Sequence, residues 1–287
     1  MGFLDFFRRK KKKPAETPAV NAEETQATVE NVEEAQATVE NVEEAQAAVA
    51  NSDEAVTPAV GAAEEPAQVT DPAEVSTVGW DAIEAEFLRV YPGQTEPKHY
   101  GTLVKWIFGG NDPLDGISIY DGGDFYHFVT FGLTELYEKQ SRNTELSGYG
   151  YEMTLKLKKA GLEDEEAEIR NVCGILQTIA RITFTKNECF FPNEYIYTGQ
   201  TAGMDAKQLS KLTGFLVITD PTVETIDTFN GRVEFRELVG VTDAELKTLI
   251  SHEETVAELY EKLGSDITDY QRESIVQSPE NPDGGEA

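Results

Sequence analysis

Cysteine, histidine and positive charge are scarce in this sequence, and each scarcity excludes something. Cys173 and Cys189 are the only cysteines in 287 residues. Two lone thiols make no disulfide framework and suit a reducing compartment. Neither has the Gly-rich or basic surroundings of a nucleophile. The three histidines leave little room for metal or acid–base chemistry. His252-Glu253 resembles the opening of a zincin helix, but the position four after His252 is Val256, so the second ligand is missing. His127 alternates with Phe125, Val129 and Phe131 and reads as a hydrogen-bonded core histidine, while His99 falls in a loop beside Pro97. No serine stands in a G-x-S-x-G elbow, and no P-loop or dinucleotide fingerprint occurs. With 53 acidic residues, no carboxylate pair stands out as acid and base. These absences point away from an enzyme and call for no metal and no cofactor.

Basic residues number 24 against those 53, a net charge of -29, and their distribution is uneven. Met1 to Lys13 carries six basic residues and one acidic, Pro14 to Gly79 fifteen acidic and none basic, and Trp80 to Ala287 18 against 37. An acidic globular part lacks the clustered Lys and Arg of a nucleic-acid surface, so no nucleic acid is expected, whereas it would steer a basic protein partner. No run approaches the roughly 18 apolar residues of a membrane-spanning helix, and no secretory signal is read, so the chain is expected to be cytoplasmic. In "MGFLDFFRRKKKK", Phe3, Phe6 and Phe7 share one helical face and six cations follow, the pattern of weak peripheral contact with the inner, anionic face of a membrane.

From Pro14 to Gly79 the composition is Ala, Glu, Val, Thr, Gln and Asn, with "ATVENVEEAQ" repeated in tandem from Ala27. At about 100° per residue a ten-residue repeat turns its Val pair by about 80° per copy, so no apolar stripe forms and a disordered acidic tether is expected. Residues 80–276 form the folded part and 277–287 a disordered tail. Trp80, Ile83, Phe87, Val90 and Tyr91 follow helical spacing. "TLVKWIF" reads as a buried strand, "GISIYD" as a second, and "FYHFVTF", apolar on both alternations, as a central one. "YEMTLKLKK" alternates cleanly, with one face expected to be wet. Ile169, Val172, Cys173, Leu176, Ile179 and Ala180 stripe a helix, which makes Cys173 a packing residue. "EYIYT", "GFLVIT" and "RVEFRELVGV" read as strands, Thr242 and Ser251 as capping-box starts, and "DITDYQRESI" as a closing strand. Helix, strands, helix, strands, helix argues for an α+β fold with a mixed, mostly antiparallel sheet and flanking helices.

Several tyrosines, including Tyr120, Tyr126, Tyr137, Tyr149 and Tyr151, stand among acidic residues in Gly-rich turns and strand ends, as a recognition patch for a basic partner would. "YPGQTEPKHYGTLVKWIFGGNDPLDGISIYDG", "HFVTFGLTELYE" and "SGYGYEMTLKLKK", in that order, resemble the suppressor of fused family, with its GG-x-DPLD, H-[FY]-x-[ST]-FGL and G-[FY]-G-[FY]-E motifs. "ILQTIARITFTKNECF", "LVITDP", "EFRELVGVTDAEL" and "LGSDITDYQRESI" extend the resemblance from Trp80 to about Ile275. It implies a single lobe of that family's N-terminal type and a non-enzymatic protein-binding role. Animal members are regulators that clamp a peptide by β-strand addition between two lobes. Single-lobe bacterial members resemble immunity proteins, which implies a toxin domain as partner, with a regulatory peptide of a cellular protein as the alternative. The matched motifs place the partner-binding face at Asp115, Tyr120, Asp124, Tyr126, Glu135 and Tyr149. A hydrolase using Asp115, His127 and Glu135 is the remaining reading.

Overall fold

The structure, a computed structural model, describes residues 76–276. The N-terminal segment 1–13, nearly all of the expected tether 14–79 and the tail 277–287 lie outside the described residues. The chain runs α1 (Val78–Val90), β1 (Lys98–Gly101), β2 (Gly116–Asp121), β3 (Phe125–Phe131), β4 (Leu146–Lys158), α2 (Glu165–Lys186), β5 (Glu194–Tyr197), β6 (Leu212–Thr219), β7 (Ile226–Thr228), β8 (Gly231–Thr242), α3 (Asp243–Ser251), α4 (Val256–Leu263) and β9 (Ile267–Thr268). Its strands form one sheet in the order β1-β2-β3-β4-β8-β6-β5, with β7 added on β8 and β9 on β4. Only β4–β8 and β4–β9 are parallel, so the sheet is mixed and mostly antiparallel, as expected.

Strand alternation divides the core. On one face Ile117, Ile119, Phe128, Tyr151, Met153, Leu155 and Leu157 meet Ile169, Val172, Leu176 and Ile179 of α2. That helix is capped by Asp164, whose side chain accepts from Ala167 N, and closes at Asn187 in the left-handed region. On the opposite face α1 packs Ile83 and Phe87 against Tyr120, Val129, Phe131 and Phe235. There α3 and α4 cover Leu216, Ile218, Val239 and Val241. The first of these two helices starts at Thr242, whose capping box with Glu245 is fully formed, and Arg272 pairs with the same carboxylate at 2.6 Å.

Five expectations are corrected. "TLVKWIF" is not a buried strand. Phe108 N and Gly110 N both turn back to Lys105 O, closing a tight turn around Trp106–Phe108 instead of a ladder, and Leu103 stands fully exposed. The polar side of "YEMTLKLKK" is not wet: Glu152, Thr154 and Lys156 are buried between the α1 and α3–α4 clusters. The box expected at Ser251 forms instead at Thr255 with Glu258, because His252 takes the left-handed cap that ends α3. Of "DITDYQRESI" only Ile267–Thr268 pairs as strand. His99, expected in a loop, lies in β1 with its ring against Trp80 and Phe131.

Lys156 Nζ sits between Asp220 (3.1 Å), Glu237 (2.9 Å) and Asp266 (2.7 Å) and is 1 % exposed. Asp220 also accepts from Thr154 Oγ1 at 2.7 Å and lies 2.9 Å from His127 Nε2, while Tyr91 Oη lies 2.7 Å from His127 Nδ1. Burial, outweighing Asp220, lowers the His127 pKa. The neutral ring therefore donates from Nε2 to Asp220 and accepts the Tyr91 hydroxyl at Nδ1. Burial likewise pushes the Asp220 carboxyl up, but His127, Lys156 and Thr154 overcome it and hold it well below the usual range. Burial and the neighbouring Asp220 charge drive Glu237 well above its usual range. One ammonium can thus stand among three carboxyl groups without surplus buried negative charge.

Removing that ammonium leaves the carboxyl groups buried and uncompensated, which costs about 3–5 kcal/mol. Lys156→Met is expected to lose that much unfolding free energy in urea at neutral pH, with the slope of the transition unchanged; a loss below about 1 kcal/mol would show that the seam does not depend on its cation.

Candidate binding site: the two flanks of α2

Across the sheet, α2 leaves a groove on each side of itself. On its β1 flank a groove of about 640 Å³ lies between Gln177 and Arg181 of α2, Tyr100 and Gly101 of β1, and the loop after β1. On its β6 flank a groove of about 400 Å³ has Ile175, Ile179, Met204 and Phe215 as apolar lining. Gly174 and Thr178, one helical turn apart, line both.

The loop beyond β1 exposes a cluster of apolar side chains beside the first groove. Leu103 and Phe108 are 101 % and 76 % exposed, and Val104 is about half exposed. Such side chains adjacent in one loop, beside a groove, mark a contact surface for another macromolecule. Polar contacts fix the loop from behind. Lys105 Nζ reaches Asp115 at 3.0 Å and the Tyr137 hydroxyl at 2.8 Å, Tyr137 donates to Asp115 at 2.9 Å, and the ammonium lies 4.1 Å from the Tyr137 ring centre. From α2, Gln177 brackets the backbone N–H and carbonyl of Leu114, and Arg181 holds the Asn111 carbonyl at 3.0 Å and Asp112 at 3.0 Å. Trp106 meets Phe184 edge-on at 5.9 Å. The exposed side chains therefore stand on an anchored frame.

The six residues expected to form the binding face do not share one face. Asp124 and Tyr126 flank the β2–β3 turn, where the Tyr126 hydroxyl donates to Glu165 and the Lys159 ammonium lies over its ring. Asp115, Glu135 and Tyr149 lie at the far end of the same hairpin, where Asp115 N and Tyr149 N bond Phe131 O and Leu133 O. Tyr120 is inside, stacked at 5.0 Å on Phe87 and 5.5 Å on Tyr91, and burial pushes its hydroxyl to about 12. It cannot present its ring to a partner. Tyr149 packs edge-on against Phe184 at 5.4 Å. Only Asp115 belongs to the loop described above, and there it is an anchor.

A hydrolytic centre of Asp115, His127 and Glu135 is not assembled either. His127 is fully buried and engaged by Asp220 and Tyr91, Asp115 by Lys105 and Tyr137, and Glu135 by Lys139. Among the described residues no group of three His, Cys, Asp or Glu is placed to hold a metal ion, and no helix is long and apolar enough to cross a membrane. Leu103, Val104 and Phe108 were missed because an apolar run reads as core by default. The signal available was Gly109-Gly110 directly behind it: a Cβ at Gly110 would stand 1.9 Å from Val104 O, so the chain reverses where a strand would have continued.

The suppressor of fused protein family matches residues 110–273. Curated relatives are the suppressor of fused homologs of Homo sapiens and Mus musculus, each 30% identical over 182 residues, which cover 58% of this chain and 36% of the relative. The chain thus spans about a third of their length. Among solved structures, the Sufu–Fu complex matches with a TM-score of 0.60 at 28% identity, covering 69% of this chain and 92% of that one. Drosophila Suppressor of Fused matches with the same TM-score and identity, covering 71% and 53%.

Glu135 gives the site region a pH dependence. Its carboxylate accepts from Lys139 Nζ at 2.8 Å and from Gln140 N and Gly148 N at 2.7 and 3.1 Å, with Ser141 N closer still. Gly148 itself sits at φ +54 with Leu133 O 2.7 Å from where a Cβ would stand, so no side chain fits there. Burial raises the Glu135 pKa, but these donors overcome it and hold it at about 2. A carboxyl depressed on folding contributes stability above its ordinary value of 4.5, and that contribution is lost as pH falls towards 2. Discounted for partial exposure, Glu135→Gln is expected to cost about 1–2 kcal/mol at pH 7, narrowing with acidification; a gap independent of pH would show that ionisation contributes nothing.

Proposed function

The chain belongs to the suppressor of fused family, and from that premise we propose that residues 80–276 form a non-enzymatic protein-binding module that grips its partner through the loop at Leu103, Val104 and Phe108 and the groove beside it. The observation that carries this reading is the exposure of three apolar side chains on an anchored loop, together with a related domain solved as the Sufu–Fu complex, a complex with another protein. Exposed apolar side chains at the centre of a contact supply most of the binding energy, and the net charge of -19 from Trp80 to Ala287 favours a basic partner. The partner that fits best is a basic toxin domain, which the module neutralises by covering it, in the cytoplasm, with no cofactor. A second reading is favoured by the aromatic and polybasic residues 1–13: an adaptor at the inner membrane face that holds a regulatory peptide of a cellular protein.

The deciding experiment pairs this chain with any toxin domain found encoded beside it, scoring growth and co-purification. Leu103→Asp with Phe108→Asp is expected to leave the melting temperature within about 2 °C, since both side chains are exposed, and to weaken the complex about 30-fold, equivalent to about 2 kcal/mol. Binding unchanged by this pair would remove the loop from the interface. If no neighbouring toxin binds and the full chain floats with anionic vesicles only when residues 1–13 are present, the adaptor reading replaces neutralisation.

A further inference from the structure

The groove on the β6 flank of α2 carries three features that packing within the described domain does not account for. Thr213 on β6 is 5 % exposed and lines the groove, and its Oγ1 is buried with no hydrogen-bond partner. A buried hydroxyl without a partner costs about 1–3 kcal/mol, so it marks a place where a ligand group completes the structure. Gly174 is the second feature. A glycine inside a helix costs about 0.5–1 kcal/mol relative to alanine, yet no atom stands within 4 Å of the point its Cβ would occupy. Nothing inside the domain requires the missing side chain, and the open space faces both grooves.

The third feature is charge. At the N-terminal side of the groove Glu168 is buried and accepts from Ala206 N at 2.9 Å, while Asp205 accepts from Leu209 N and Ser210 N at 3.0 and 2.6 Å. Burial, with repulsion from Asp205 and Asp164, raises the Glu168 pKa, and the nearby Lys207 is drawn away to Glu163. An apolar floor of Ile175, Ile179, Met204 and Phe215 therefore ends at the Asp205 carboxylate, which accepts from backbone N–H groups, with Glu168 buried nearby. An occupant must combine an aromatic or aliphatic side chain with a cationic one next to it.

One stretch of this chain has that chemistry. Phe6-Phe7-Arg8-Arg9 lies in the only basic segment, and from Pro14 onward the chain carries 18 basic residues against 52 acidic. Roughly seventy residues separate it from α1, a length that a flexible chain bridges over about 45 Å, against a radius of gyration of about 16 Å for a 200-residue domain, so the groove is within reach. We propose that the groove between α2 and β6 receives this chain's own Phe6-Phe7-Arg8-Arg9, an aromatic ring on the apolar floor and a guanidinium at Asp205. The inference is independent of the loop at Leu103 and of the partner's identity. Docking and contact with an anionic surface use the same side chains, so each excludes the other. The domain holds its own N-terminal segment until such a surface takes it, and linkage within one chain makes docking effective at weak intrinsic affinity.

The test uses the full chain with Phe7→p-benzoylphenylalanine, photolysed in dilute solution and mapped by mass spectrometry. Cross-links are expected within one chain, to peptides covering 171–179 or 203–215, with a yield that does not change with protein concentration. Gly174→Leu fills the open space while raising helix propensity, so it should melt no lower than the parent and lower the cross-link yield about tenfold, the equivalent of about 1.4 kcal/mol. Raising salt from about 50 mM to about 0.5 M, or adding vesicles of phosphatidylserine and phosphatidylcholine, should also reduce the yield in the parent. Cross-links to another face, cross-links between chains, or a yield indifferent to Gly174→Leu and to salt would each overturn the proposal.

Discussion

The tertiary structure depends on one buried ammonium. Lys156 lies on the central strand of the sheet, and the carboxyl groups around it come from the turn after β6, from β8 and from the segment before β9. Through Asp220, His127 and Tyr91 the same network reaches the end of α1. A charged group taken from water is tolerable only when its partners are held in place. Those partners are far apart in sequence, 64, 81 and 110 residues from Lys156, so the network specifies which elements meet and not only how strongly. It separates the apolar cluster under α1 from the one under α3 and α4, and so makes a single sheet face carry two cores.

With that face closed by charge and helices, α2 is the one described helix on the other, joined there by Phe190 and Met204 from loops, and binding chemistry collects along its flanks. A single helix across a broad sheet cannot cover both edges, so each flank keeps a groove. The β1 flank adds an apolar loop held by Lys105, Asp115 and Tyr137, and the β6 flank adds an unpartnered hydroxyl and the Asp205 carboxylate. The two grooves have different chemistry, which suits one to a partner's apolar surface and the other to an aromatic and cationic segment.

Much of the fold was legible in the sequence because the signal was local. The stripe of Ile169, Val172, Leu176 and Ile179, the two-sided apolar run of β3 and the capping residues at Thr242 each express a contact with the nearest layer or with the next turn of the same chain. The errors share one cause. "TLVKWIF" is as apolar as a strand, but what ends it is a hydrogen-bonded turn at Lys105, and what orients it is Asp115 and Tyr137. The alternation in β4 was read correctly and its consequence wrongly, because Glu152 and Lys156 look wet until Thr130, Thr134, Asp220 and Glu237 are brought to them. Of the six residues expected to meet a partner, five occupy strand ends and turns around one hairpin, but sequence spacing could not show that Tyr120 faces Phe87.

By itself the sequence determined the α+β class, the order of elements, the family and the acidic character, because periodicity, turn residues and net charge are properties of neighbours along the chain. Only the tertiary structure decided which polar side chains are buried, which apolar ones are left in water and which groups face a groove without partners. Those outcomes depend on distances between residues remote in sequence, and the free energy of a charge or a methyl group is set by what surrounds it.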